Sequence, residues 1–117
     1  MNGYEVIYLY YKQTGKSEIT IPRAIIEANN LDWYHKDNIF LLGKEYQEKK
    51  GLFLSKEGTG HVTSYLYYNK TKRSMVTIPR IVVTANKLRW NHKEKLSLIV
   101  IESNDHKGLF LFKKEDE

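Results

Sequence analysis

Polar and apolar positions alternate from Ser17 to Ile21, and the stretch before it, Tyr4 to Lys12, is dense in β-branched and aromatic residues. Both read as strands, and Gln13-Thr14-Gly15-Lys16 between them reads as the turn of a hairpin. Pro22 suits the first position of a helix, where its missing N–H costs nothing, and Ile25, Ile26 and Ala28 supply an apolar stripe. Asn29-Asn30 favours termination and limits this helix to about two turns. Leu31 and Trp33 follow as core anchors. Asp37-Asn38 then opens a strand over 39–42, a polar turn occupies 47–50, and Gly51 leads into a strand over 52–55. The predicted order is ββαββ.

The pattern returns at a fixed offset of 57 positions, without a gap. Tyr8-Leu9-Tyr10-Tyr11 recurs as Tyr65-Leu66-Tyr67-Tyr68, Thr20-Ile21-Pro22-Arg23 as Thr77-Ile78-Pro79-Arg80, and Gly51-Leu52-Phe53-Leu54 as Gly108-Leu109-Phe110-Leu111. Ala28, Asn29, Leu31, Trp33, His35 and Lys36 recur as Ala85, Asn86, Leu88, Trp90, His92 and Lys93. The second unit is therefore expected to have strands over 62–69, 74–78, 95–102 and 108–113, with Lys70-Thr71-Lys72 as its first turn and a helix from Pro79 to Asn86. A fixed-offset repeat means two copies of one structural unit. Each copy, 1–57 and 58–117, falls under about 60 residues, where a separate core is marginal. The linker Glu57-Gly58-Thr59-Gly60 is too short to hold two bodies apart. A single pseudo-twofold domain, mainly β with two short helices, is the expected result.

Composition narrows the function classes. With no cysteine there is neither a disulfide framework nor cysteinyl zinc, and no apolar run approaches the roughly 18–20 residues of a membrane span. Glu5 within the first apolar stretch and the lack of a basic leader argue against a signal peptide, so a cytoplasmic location is expected. Net charge is +5, and its distribution is uneven. Residues 1–57 hold eight Lys or Arg and eight Asp or Glu, while 58–117 hold eleven and six. From Gly58 to Lys93 there is no acidic residue at all. The C-terminal run from Lys113 to Glu117 reads as a solvated tail.

A hairpin ending in Ile-Thr-Ile-Pro-Arg, a short helix closing near Leu31, an Asp opening an apolar strand and a final Gly-Leu-Phe-Leu strand together resemble the AbrB/SpoVT family of swapped-hairpin DNA-binding domains. Both repeats carry the likeness, so it spans nearly the whole chain. It implies a swapped-hairpin β-barrel in which the two repeats act as a covalent version of the family's homodimer, either as a monomeric pseudo-dimer or with a second chain. It also implies sequence-specific binding of double-stranded DNA and transcription regulation. The chain departs from the pattern four residues before each proline, where an Arg common in the family is replaced by Glu18 and Met75. It departs again within the helices, where Ile26-Glu27 and Val83-Thr84 stand in place of paired arginines.

On such a barrel the two hairpins and helix starts are expected on one face, gathering Lys12, Lys16, Arg23, Lys70, Lys72, Arg73 and Arg80, with Lys87 and Arg89 nearby. About 4–6 phosphate contacts would give a salt slope near −0.9 per contact. The second repeat is expected to dominate, so that replacing Lys72, Arg73 and Arg80 costs more binding than replacing Lys16 and Arg23, and the site need not be palindromic. The alternative is a barrel that has lost DNA contact and serves as a protein-interaction module or inhibitor. An antitoxin would carry a longer tail. The tyrosine clusters could stack on bases, but alternation makes them strand packing residues. His35 and His92, each followed by Lys and lacking a second ligand at metal spacing, read as structural. No nucleophile–base–orienter set and no phosphate loop occurs, so neither an enzyme nor a cofactor is expected.

Overall fold

The hairpin predicted at the start of the chain forms as β1 (Tyr4–Tyr11) and β2 (Lys16–Thr20). The computed structural model describes residues 3–103 and 105–113, so the 114–117 part of the expected tail lies outside the described residues. Helix α1 (Arg23–Ala28) is six residues long, and Pro22 caps it from just outside rather than entering its first turn. It stops where predicted: the Asn29 side chain donates to the Ile25 carbonyl at 2.8 Å, and Asn30 takes a left-handed φ of 56°. Strands β3 (Asn38–Tyr46) and β4 (Lys49–Ser55) follow. The second repeat gives β5 (His61–Tyr68), β6 (Arg73–Thr77), α2 (Arg80–Ala85), β7 (Glu94–Ser103) and β8 (His106–Lys113).

One local expectation needs correction. The polar stretch read as a turn over 47–50 is half strand: Tyr46 pairs with Lys49, and only Gln47 and Glu48 turn, both at positive φ (50° and 67°). A two-residue hairpin loop with both φ positive matches the strand twist. Lys49 and Lys50 read as turn residues because a polar strand end next to a hairpin loop is locally indistinguishable from the loop.

The eight antiparallel strands close into a barrel in the order β1-β2-β6-β5-β3-β4-β8-β7. Within that ring, each pair contributed by one repeat is flanked on both sides by pairs from the other. Four seams therefore join the repeats: β1 to β7, β2 to β6, β3 to β5 and β4 to β8. Repeat-equivalent residues face each other twice, Ile19 with Val76 and Phe53 with Phe110. The pseudo-twofold axis thus enters through the β2–β6 wall, leaves through the β4–β8 wall, and exchanges the two ends of the barrel.

Both repeats fill a common interior, with Trp33, Trp90, Tyr8, Tyr65, Ile19, Val76, Leu54 and Leu111 all buried in it. The tryptophans pack across the seam. Trp90 meets Tyr8 edge-on at 5.6 Å between ring centroids, and Trp33 meets Tyr65 at the same distance. A smaller apolar cluster of Phe53, Ile99, Ile101, Phe110 and Phe112 lies on the outer side of β4, β8 and β7. Strands β4 and β8 approach so closely that a Cβ at Gly51 would sit 2.1 Å from the Leu111 carbonyl oxygen, and one at Gly108 2.3 Å from that of Leu54. Any larger residue there would push the seam apart.

The two hairpin turns differ in a way that can be measured. Gly15 sits at φ 73°, and its counterpart Lys72 holds φ 59°, in the same left-handed region but with a Cβ. Lys72→Gly is expected to raise stability by about 0.5–1 kcal/mol and Gly15→Ala to lower it by a similar amount. Urea denaturation of the two variants checks the signs; a destabilised Lys72→Gly would contradict the assignment.

Candidate nucleic-acid interface

Strand direction decides where each basic residue ends up. Strand β1 runs towards the end of the barrel that α2 caps, because Ile78 N–H donates to the Ser17 carbonyl at 2.9 Å and Lys93 N–H to that of Tyr8 at 2.7 Å. Strand β5 runs to the opposite end, where Ile21 N–H donates to Ser74 O and Lys36 N–H to Tyr65 O. Each hairpin therefore packs beside the helix of the other repeat. The backbones of the nine residues singled out in the sequence are divided between the two ends: Lys12, Lys16, Arg80, Lys87 and Arg89 stand at the α2 end, and Arg23, Lys70, Lys72 and Arg73 at the α1 end. The expected basic set is thus spread over both ends, and only Lys16 and Arg73 of the two hairpins converge, on Glu18 at the outer side of β2 and β6.

Arg23 and Arg80 are clamps between repeats. Arg80 Nη1 donates to the Trp90 carbonyl at 2.6 Å and to the Tyr8 hydroxyl at 3.1 Å, with its guanidinium 4.4 Å from the Tyr10 ring centroid. Arg23 does the same to Trp33 O, Tyr65 and Tyr67, at 2.7, 3.1 and 4.8 Å. Its Nε also meets Glu27 at 3.2 Å. Burial pushes the Arg23 pKa down, but the Tyr65 and Glu27 bonds outweigh it and the net shift is upward. Both guanidiniums are half-buried, so their forks are used inside the protein.

Lys16 and Arg73 are also partly engaged. Glu18, with a side chain only 5% exposed, lies 3.7 Å from Lys16 Nζ and 3.5 Å from Arg73 Nη2. The acidic residue at the position where an arginine was expected thus draws one cation from each hairpin. Lys12, Lys70, Lys87 and Arg89 are exposed and form no ion pair among the described residues. Lys72 is exposed as well, 3.3 Å from the Asn69 side-chain oxygen.

Four further cations outside the nine singled out join the α2 end. Lys49 and Lys50 had been assigned to a turn; Lys93 follows His92, and Lys113 closes β8. Against this group stand Glu45, Glu48 and Glu94, and Glu94 is held by Lys113 at 3.4 Å. At the α1 end, Arg23, Lys36, Lys56, Lys70, Lys72, Arg73 and Lys107 are nearly balanced by Glu27, Asp32, Asp37, Glu57, Glu102 and Asp105. The excess of formal positive charge among the described residues therefore lies towards the α2 end.

The conserved geometry of the repeats is structural elsewhere. His35 and His92 each use Nδ1 to accept a strand N–H, from Tyr67 at 3.1 Å and Tyr10 at 3.0 Å, and they lie at opposite ends. No group of three or more His, Cys, Asp or Glu able to hold a metal occurs among the described residues. Lys56 bridges Asp37 and the Asp32 carbonyl, and Lys113 repeats this with Glu94 and the Arg89 carbonyl. Burial raises the Asp37 pKa, but the Tyr34 N–H at 2.8 Å and Lys56 at 3.1 Å outweigh it, leaving the carboxyl below its ordinary 3.8.

A carboxyl depressed in the folded state contributes its full stabilisation above the unfolded pKa and loses it as pH falls through the folded one. Asp37→Asn is therefore expected to cost about 1 kcal/mol at neutral pH, with the difference from wild type closing below pH 3.8. Urea midpoints of both proteins at pH 7 and pH 3 test this; a gap that widens in acid would reverse the sign.

Comparison with protein-family models, with curated proteins and with solved structures gave no match. What the coordinates define is a closed eight-stranded antiparallel barrel with two short helices. Among the described residues no helix is long and apolar enough to cross a membrane.

Proposed function

We propose that this protein is a sequence-specific double-stranded DNA-binding protein of AbrB/SpoVT swapped-hairpin type, acting in transcription regulation through the α2 end of its barrel. The observation that carries the reading is the gathering of Lys12 and Lys16 from the first repeat with Lys87, Arg89 and Lys93 from the second around that end, where acids are few. Phosphate neutralisation would supply affinity by releasing counterions, and exposed arginine such as Arg89 could read guanine edges. Because the pseudo-twofold axis exchanges a basic end for a nearly neutral one, the target site is expected to lack twofold symmetry.

The test is selection from a random double-stranded DNA pool at low and at physiological salt, followed by titration of variants. An enriched, non-palindromic motif that survives the higher salt is the expected result. Charge reversal at Lys12, Lys87 and Arg89 should weaken binding about 100-fold and flatten the salt slope by about 3, whereas reversal at Lys70 and Lys72 should cost about threefold or less. Equal losses at the two ends, or no enrichment, would remove the proposal.

A second reading, a protein-interaction module, is favoured by one observation: Ile7 and Tyr11 of β1 and Val62 and Tyr68 of β5 are exposed apolar side chains on the outer side of the barrel.

A further inference from the structure

The repeat offset gives each residue at one end of the barrel a counterpart at the other, and after the helices the buried counterparts match while the exposed ones differ. The chain reads Asn30-Leu31-Asp32-Trp33 after α1 and Lys87-Leu88-Arg89-Trp90 after α2. Both leucines and both tryptophans are buried. The backbone is duplicated too: Asn30 and Lys87 hold φ 56° and 57°, Lys56 Nζ donates to the Asp32 carbonyl, and Lys113 Nζ to that of Arg89. Two loops of one shape therefore carry opposite charges, on exposed side chains that form no ion pair among the described residues.

Each loop lies against the strand hairpin at its own end. At the α1 end, Asn30, Asp32, Lys56, Asp105, His106 and Lys107 help to line a cleft of about 210 Å³, and Lys107 reaches the Asn29 carbonyl at 3.2 Å. At the α2 end, Asn86 rests on β3 so closely that a Cβ at Gly43 would sit 1.9 Å from its side-chain oxygen. Four counterpart pairs keep their charge: Glu45 with Glu102, Glu48 with Asp105, Lys50 with Lys107, and Lys113 with Lys56. Three do not: Lys87 with Asn30, Arg89 with Asp32, and Lys49 with His106. Over these seven pairs, with histidine neutral, the α2 side holds five cations against two acids and the α1 side two against three. Glu57 also lines the α1 cleft, and its counterpart Lys114 lies outside the described residues.

The β1–β2 and β5–β6 turns do not favour the α2 end. They bring Lys12 and Lys16 there, but Lys70, Lys72 and Arg73 to the α1 end. What separates the ends is the pairing of loop with hairpin.

We infer that Asp32 and Arg89 select which end of the barrel takes DNA. Arg89, with Lys87 and Lys49, holds the phosphate backbone; Asp32, with Asn30 and His106 in the equivalent places, turns it away. The inference rests on the DNA-binding reading above and adds the residues that confine binding to one end. Salt screens exposed charges beyond about 8 Å at physiological strength, and the molecule measures 34 × 32 × 27 Å. A change at one loop therefore acts on its own end.

The test moves the second repeat's residues into the first, as Asn30→Lys/Asp32→Arg/His106→Lys in the full chain. The loop backbone accepts the first two, since Lys87 and Arg89 occupy its copy. Sedimentation with a short random-sequence duplex at low salt should find one duplex on wild type and two on this variant, the second bound within about tenfold of the first. The converse set, Lys49→His/Lys87→Asn/Arg89→Asp, should weaken the wild-type site about 100-fold, and combining both sets should restore one duplex. No duplex on wild type would remove the DNA reading itself. One duplex on wild type and still one on a folded first variant overturns this inference alone, as do two duplexes on wild type. A converse set that keeps wild-type affinity overturns it as well, whether or not the first variant folds.

Discussion

Residues 1–57 expressed alone are expected to yield no folded monomer. Every strand pair of this repeat is flanked on both sides by pairs from the second repeat, so removing 58–117 strips hydrogen-bonded partners from β1, β2, β3 and β4 at once. It also removes the tyrosine against which Trp33 packs. What remains has open edges on both of its hairpins and no closed interior, in a length range where even a complete core is marginal. Far-UV circular dichroism and sedimentation should find either an unstructured chain or a folded dimer in which a second copy replaces the missing repeat. A cooperative melt from a monomeric 57-residue fragment would refute the interleaved topology.

The second large effect is expected at the arginines that follow the prolines. Arg80→Ala leaves the Trp90 carbonyl and the Tyr8 hydroxyl without their donor inside a partly buried site, and removes a guanidinium from the face of Tyr10. Hydrogen bonds to charged groups contribute roughly 1.5–3 kcal/mol each, so a loss of about 3 kcal/mol is expected. Arg23→Ala should cost the same within about 1 kcal/mol, because its partners Trp33 and Tyr65 are the repeat equivalents. Arg80→Lys should rescue little of it, since an ammonium cannot span both acceptors as the planar fork does. Urea denaturation of the three variants decides the matter: a loss under 1 kcal/mol, coupled to weakened DNA binding, would reassign these arginines from clamps to phosphate contacts.

Much of the architecture was legible because it is local. Gln13 to Lys16 announced a turn, the Ile25-Ile26 stripe a short helix, and Asn29-Asn30 its end, each through the backbone preferences of a few neighbouring residues. The hairpin at Gln47-Glu48 was misplaced by two residues for the same reason. Local reading could not tell a polar outer strand from a loop without knowing which side faced solvent. The candidate site was less legible. Lys49, Lys50 and Lys113 were passed over, and Arg23 and Arg80 were grouped with exposed cations, because the groups that surround them lie tens of residues away in the chain.

The amino-acid sequence by itself determined that two equivalent ββαββ units exist, that neither is large enough to stand alone, and that the excess positive charge belongs to the second. The tertiary structure decided how that charge is presented. Seen along the chain the asymmetry lies between repeats, whereas in space it lies between ends of the barrel, because each hairpin crosses to the helix of the other repeat. That crossing rests on pairings such as Ile78 with Ser17 and Lys93 with Tyr8, contacts between residues more than sixty positions apart. No periodicity or local propensity encodes them; they follow from closing eight strands around one core.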